Sequence, residues 1–81
     1  MIAGGVLVRR FLSNRRLRGR TVIVQVRDGV AYRGKFVRRE RDGLVLSDAS
    51  VIDEKAREPR WAPMDGEVLV AGGDVQHVQV P

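Results

Sequence analysis

The sequence predicts a mainly β fold: five short strands forming a small barrel or sandwich behind an N-terminal α-helix. Three observations predict it. Apolar residues alternate with period two, as in half-buried strands, at Val22, Val24 and Val26 and again at Leu44 and Leu46. Tight-turn residues separate the runs, at Asp28-Gly29, Asp42-Gly43 and Gly72-Gly73-Asp74. A glycine, Gly34, interrupts the second run, where a small barrel needs a bend or bulge to close.

The elements follow in order. Leu7, Val8, Phe11 and Leu12 recur at helical spacing with Arg9 and Arg10 on the opposite face, which predicts a short amphipathic helix over about 5–14. A basic turn, 15–20, has Leu17 as its one apolar anchor. Strands are expected at about 20–28, 31–39, 43–48, 67–71 and 75–80. Residues 49–66 read as one long polar loop, holding Pro59, Pro63 and a single large apolar residue, Trp61. Trp61 is expected to fold onto the barrel, with a partner-binding anchor as the alternative.

An 81-residue chain forms one domain, 1–81, and buries only about 60–65% of its unfolded surface, so its core needs further support. There is no cysteine, which removes disulfides and thiolate metal sites, and a lone histidine, His77, makes no metal cluster. No metal and no cofactor are expected. Association with further copies is the remaining support. No stretch reaches the ~20 apolar residues of a membrane span, and the start, Met1 to Val8, has no basic leader. A soluble, cytoplasmic protein is the expectation.

The net charge of +5 conceals a division. Residues 1–41 carry twelve Lys and Arg against Asp28 and Glu40; residues 42–81 carry three basic residues against eight acids. Such a split suits an anionic partner on one face, nucleic acid above all, or a dipolar surface that docks subunits head to tail. Thirteen of the fifteen basic residues are arginine, which suits bidentate phosphate contact and base stacking. A GC-rich bacterial or phage genome also encodes such a composition.

Catalytic patterns are lacking. Ser13, Ser47 and Ser50 have no evident base, and His77 reads as a solvent-facing strand residue. Asp48, Asp53 and Glu54 lack the alternate spacing and central glycine of a calcium loop. No glycine-rich loop carries the lysine of a phosphate-binding loop. The expectation is a binding protein, not an enzyme.

Several segments, in order, resemble the Sm-like family of Sm, LSm and Hfq proteins. They are Leu17-Arg18-Gly19, Val22 to Gly29, Tyr32-Arg33-Gly34, Leu44-Val45-Leu46-Ser47-Asp48-Ala49, and Val68 to Val75. The resemblance covers most of residues 5–80 and leaves 50–66 unmatched. It implies a bent five-stranded barrel of SH3 type, capped by the helix. It also implies homo-oligomeric rings of five to seven subunits, in which the fourth strand of one copy pairs with the fifth of the next. The implied interface residues are Val68, Leu69, Val70, Val75, Val78 and Val80. Exposed valine-rich edges agree with this, because pairing across subunits removes an aggregation liability. A monomer blunting its edges with Glu67, Gln76 and Gln79 is the alternative.

For RNA-binding members the resemblance places uridine-rich RNA at the inner rim of the ring, on the two turns that here are Arg41-Asp42-Gly43 and Gly72-Gly73-Asp74. The usual pocket is not reproduced. Gly43 stands where the family has a base-reading Asn, and Ala71 where it has an Arg. Arg41 remains able to stack on a base, Asp42 to accept from a base N–H, and the amides of Gly72 and Gly73 to approach a phosphate. Arg9, Arg10, Arg15, Arg16 and Arg18 form a second candidate surface, a basic face whose phosphate contacts give affinity without sequence information. Arg38-Arg39-Glu40-Arg41 spells a motif from the rim of Hfq, but at a strand end rather than on a helix, so its role does not transfer. The expected function is a ring-forming, non-enzymatic binder of single-stranded RNA. The alternative is a structural or protein-interaction ring without uridine-pocket binding, with the 49–66 loop as its partner surface.

Overall fold

The computed structural model describes residues 17–81. The expected helix over 5–14, with Arg9, Arg10, Arg15 and Arg16, lies outside them. Within them the chain is a single antiparallel sheet of six strands: β1 (Thr21–Val26), β2 (Val30–Glu40), β3 (Gly43–Asp53), β4 (Ala62–Pro63), β5 (Val68–Ala71) and β6 (Val75–Gln79).

The sheet runs β4-β3-β2-β1-β6, and β5 pairs with β3 as well. β3 is long enough to serve two partners along one edge. Its first half pairs with β5 (Leu44 opposite Val70, Leu46 opposite Val68) and its second half with β4 (Ser50 opposite Pro63, Val51 opposite Ala62). The three-residue turn Gly72–Asp74 joins β5 to β6, although these strands lie at opposite ends of the sheet. So short a connection is possible only if the sheet is rolled until its ends meet, which makes a barrel left open between β5 and β6.

The bend that rolls it is at Gly34. Register slips between Arg33 and Lys35, where β3 carries one residue more than β2 and Asp48 takes a φ of 48°. A side chain at Gly34 would collide with β3: its Cβ would stand 2.9 Å from the Ser47 carbonyl oxygen and 3.1 Å from Ala49 Cα. Only glycine lets the strands close at this bulge. A second slip, between Phe36 and Arg38, bends the far half of β2.

Alternation places the core as expected. Val22, Val24 and Val26 of β1 face inward with Phe36, Leu44, Leu46, Ala49, Val70 and Val75, and Leu17 closes over them. Leu17 is held in place by the turn that follows it. The Arg20 amide donates to the Leu17 carbonyl (2.9 Å), and the amides of Gly19 and Phe36 continue the β1–β2 ladder. Among the described residues no buried polar or charged side chain interrupts this core.

Two expectations need correction. The third strand does not end at residue 48 but runs to Asp53, because the bulge at Asp48 and Ala49 lets Ser50, Val51 and Ile52 resume pairing with Arg33, Tyr32 and Ala31. The expected loop over 49–66 is therefore strand up to Asp53 and again at Ala62–Pro63, and β4 makes the sheet six-stranded rather than five. Trp61, at the entry to β4, folds onto the barrel: the Arg33 guanidinium of β2 lies 4.5 Å from its ring centroid. That geometry is a cation–π contact. Glu54 is tied back by its amide to the Gly29 carbonyl (2.8 Å) and Met64 by its amide to the Ala49 carbonyl (2.8 Å).

Candidate nucleic-acid interface

Barrel closure gathers three turns that are far apart in sequence. The β2–β3 turn meets the β5–β6 turn through the Gly72 amide, which donates to the Asp42 carbonyl at 2.9 Å. The β1–β2 turn reaches the same place from the other end of β2, with Arg27 Nη2 donating to the Gly73 carbonyl at 3.5 Å. The candidate residues Asp42, Gly43, Gly72 and Gly73 thus fall on one rim. Arg41, Asp42, Gly73 and Asp74 are exposed, Gly72 is half-buried and Gly43 is buried.

Gly43 is buried for a reason that bears on base reading. It pairs with Ala71 of β5, and a Cβ there would overlap the Val70 carbonyl oxygen and stand 2.9 Å from its carbon. No side chain fits at this position without moving β5. The Gly72 amide, bonded to Asp42, is also removed from the donors a phosphate could use.

The rim is not a basic patch. Its three turns carry Arg27 and Arg41 against Asp28, Asp42 and Asp74. Asp28 itself adopts a φ of 64° in its turn. Glu40, beside the rim, is already engaged: Arg38 donates from Nε to its carboxylate at 2.9 Å, and from Nη2 and Nη1 to Glu67 at 3.2 and 3.4 Å. The hydrogen bonds to Glu67 and then Glu40 raise the Arg38 pKa, and this charged fork ties β2 to the entry of β5. The second candidate surface contributes only exposed Arg18 to the described residues. Residues 1–16 hold four arginines and no acid, which accounts for most of the +5 net charge.

The strand edges are clearer. β5 is bonded to β3 on one side and β6 to β1 on one side, and among the described residues neither has a partner on the other. Of the candidate interface residues, Val70 and Val75 point into the chain's own core rather than outward, and Val68, Val78 and Val80 pack half-buried against it. Leu69, on the opposite face of β5, is 53% exposed and is the one large apolar side chain left open to solvent among the described residues. Backbone edges and Leu69, not the whole valine set, are what β5 and β6 offer outward.

The sequence did not single out Arg27 or the Arg33–Trp61 pair. Arg27 precedes an Asp-Gly turn, a place that carries no binding signal until the barrel closes over Gly73. His77 lies exposed on β6, as a solvent-facing strand histidine should. Among the described residues no three His, Cys, Asp or Glu side chains are grouped to hold a metal ion, and no helix is long and apolar enough to cross a membrane.

The sequence matches no family model and no curated protein. The structure is similar to solved structures of archaeal Sm proteins. One is the Sm protein of Pyrococcus abyssii in complex with a uridine heptamer, at 22% identity over 82% of this chain and 89% of that one, with a TM-score of 0.61. Another is a heptameric archaeal Sm protein, at 25% identity over 83% of this chain and 93% of that one, with a TM-score of 0.63. The fold of residues 17–81 is thus Sm-like, as the sequence resemblance implied.

Proposed function

We propose that this chain assembles into a closed ring of five to seven copies and holds single-stranded RNA on it without covalent chemistry. The observation that carries the reading is the pair of unpartnered antiparallel edges. β5 of one copy and β6 of the next complete each other's hydrogen bonding, and repetition of that single contact closes a ring. The similar proteins support it: one is heptameric and another binds a uridine heptamer. Leu69, exposed beside the β5 edge, is the apolar anchor of the contact.

RNA is held in this reading by Arg9, Arg10, Arg15, Arg16 and Arg18, multiplied by the number of copies. These residues supply phosphate contacts, and the rim turns touch bases. The near balance of charge on the rim favours a second reading, a ring that serves as a structural or protein-interaction module and binds no RNA.

Native mass spectrometry tests assembly: a closed oligomer is expected, and a monomer at micromolar concentration rejects the ring. Fluorescence anisotropy with short U-rich and A-rich RNA over a salt series tests binding. Phosphate-led affinity falls with a log–log slope of about −0.7 per phosphate contacted. Arg9→Ala combined with Arg16→Ala is expected to weaken binding to every sequence alike. Absence of binding at low salt rejects the RNA reading in favour of the structural ring.

A further inference from the structure

We infer that the β2–β3 turn selects guanine, with the Asp42 carboxylate as the residue that determines the preference. The inference rests on the RNA-binding reading and names the base that reading leaves open. It follows from what the turn can present. Glu40 is taken by Arg38 (2.9 Å), and position 43 admits no side chain because its Cβ would overlap the Val70 carbonyl oxygen. Arg41 and Asp42 remain. Both are exposed, and neither forms an ion pair with another described residue. The backbone of Asp42 is fixed by the Gly72 amide at 2.9 Å, which sets the position on the rim from which its short side chain reaches out.

An ionised carboxylate accepts hydrogen bonds and donates none, whereas a guanidinium only donates. Guanine alone among the four bases places two donors side by side, N1–H and the N2 amino group, and two acceptors side by side, O6 and N7. The first pair matches the two oxygens of Asp42, and the second matches the fork of Arg41. Uracil sets its single N3–H between two carbonyl oxygens, so a carboxylate that reaches it also faces an oxygen. Adenine and cytosine each place an acceptor beside the amino group on the pairing edge. Asp42 therefore rewards guanine and penalises uracil. An amide side chain, which both donates and accepts, would not make that distinction.

The test is anisotropy of the full chain with four RNA heptamers at low salt: alternating guanine and adenine, the same with inosine for guanine, all adenine, and all uracil. The guanine heptamer is expected to bind about tenfold more tightly than the uracil heptamer, the scale of one bidentate base contact. Inosine lacks the N2 amino group and is expected to lose several-fold of that affinity. Asp42→Asn is expected to bring guanine and uracil within about twofold of each other. Equal or tighter binding of uracil, or no loss with inosine, overturns the inference and leaves RNA binding standing. The inosine arm uses the unaltered protein, so it decides the matter even if the variant folds poorly. Failure of all four heptamers to bind overturns the RNA reading itself.

Discussion

The amide of Gly72 donates to the carbonyl of Asp42 across 2.9 Å, and this bond fastens the turn that ends β2 to the turn that begins β6. It extends the β3–β5 pairing, in which Gly43 lies opposite Ala71, by one further backbone bond. The bond lies in the backbone, so the side chain of Asp42 is not needed to hold the barrel together. Changes there report on recognition rather than on folding.

Gly43 is the opposite case. Its missing Cβ makes room for the Val70 carbonyl, and the atoms in the way are backbone of a paired strand. Gly43→Ala is expected to destabilise the protein by about 1–3 kcal/mol, the range of an overpacked site, because a main-chain carbonyl cannot rotate aside as a side chain does. The accompanying shift of β5 is expected to loosen its outer edge. Chemical denaturation measures the first effect and native mass spectrometry the second. An Ala variant as stable as the parent contradicts this packing account.

The two faces of the β3–β5 ladder predict contrasting mutants. Leu46 is fully buried in the core, and Leu46→Ala is expected to cost about 2–5 kcal/mol in unfolding free energy. Leu69 is 53% exposed, so Leu69→Asp is expected to change the stability of an isolated subunit by only about 0.5 kcal/mol. Its effect is expected on association, where a charge at the apolar anchor shifts the oligomer toward smaller species. Sedimentation velocity beside thermal melts separates the two. A Leu69→Asp protein that assembles fully removes Leu69 from the interface.

Much of this fold was legible in the sequence because its determinants are local. Period-two valines in β1, the Asp-Gly turns and Gly34 each declare themselves within a few residues. The failures were non-local. β3 passes residue 48 only because a bulge at Asp48 and Ala49 restores its register with β2, and nothing in Ser50-Val51-Ile52-Asp53 alone separates a strand from a loop. β4, two residues long and containing Pro63, exists through its neighbour β3. The candidate rim was legible as two turns, but the engagement of the Gly72 amide follows the β3–β5 pairing and the entry of Arg27 follows the β1–β6 pairing, both between strands distant in sequence. The resemblance names Val70 and Val75 by their strands, and only the closed barrel shows that their side chains face the chain's own core.

Arg38 ties β2 to the entry of β5 at the protein surface, since it bonds Glu40 at the end of β2 and Glu67 before β5. All three side chains are about half exposed, so the network is worth little to global stability. Its expected role is local. Arg38→Ala is expected to leave the melting temperature nearly unchanged and to speed amide hydrogen exchange at Val68 to Ala71 relative to β1. Uniform exchange rates across the two strands, or no change at β5, rule this role out.

Trp61 is the one tryptophan of the chain, so its emission reports a single contact. Arg33 lies over the ring at 4.5 Å, with its own side chain exposed on the outer face of β2. A cation–π pair at such a site contributes about 0.5–1 kcal/mol. Arg33→Ala is therefore expected to lower stability by about that amount and to shift the emission maximum to longer wavelength as water reaches the uncovered face. Arg33→Lys retains the charge but not the flat stacking surface, and an intermediate shift is expected. Emission that ignores both substitutions shows that Arg33 does not shield Trp61, and the entry to β4 is then held by its strand pairing with Ser50 and Val51 alone.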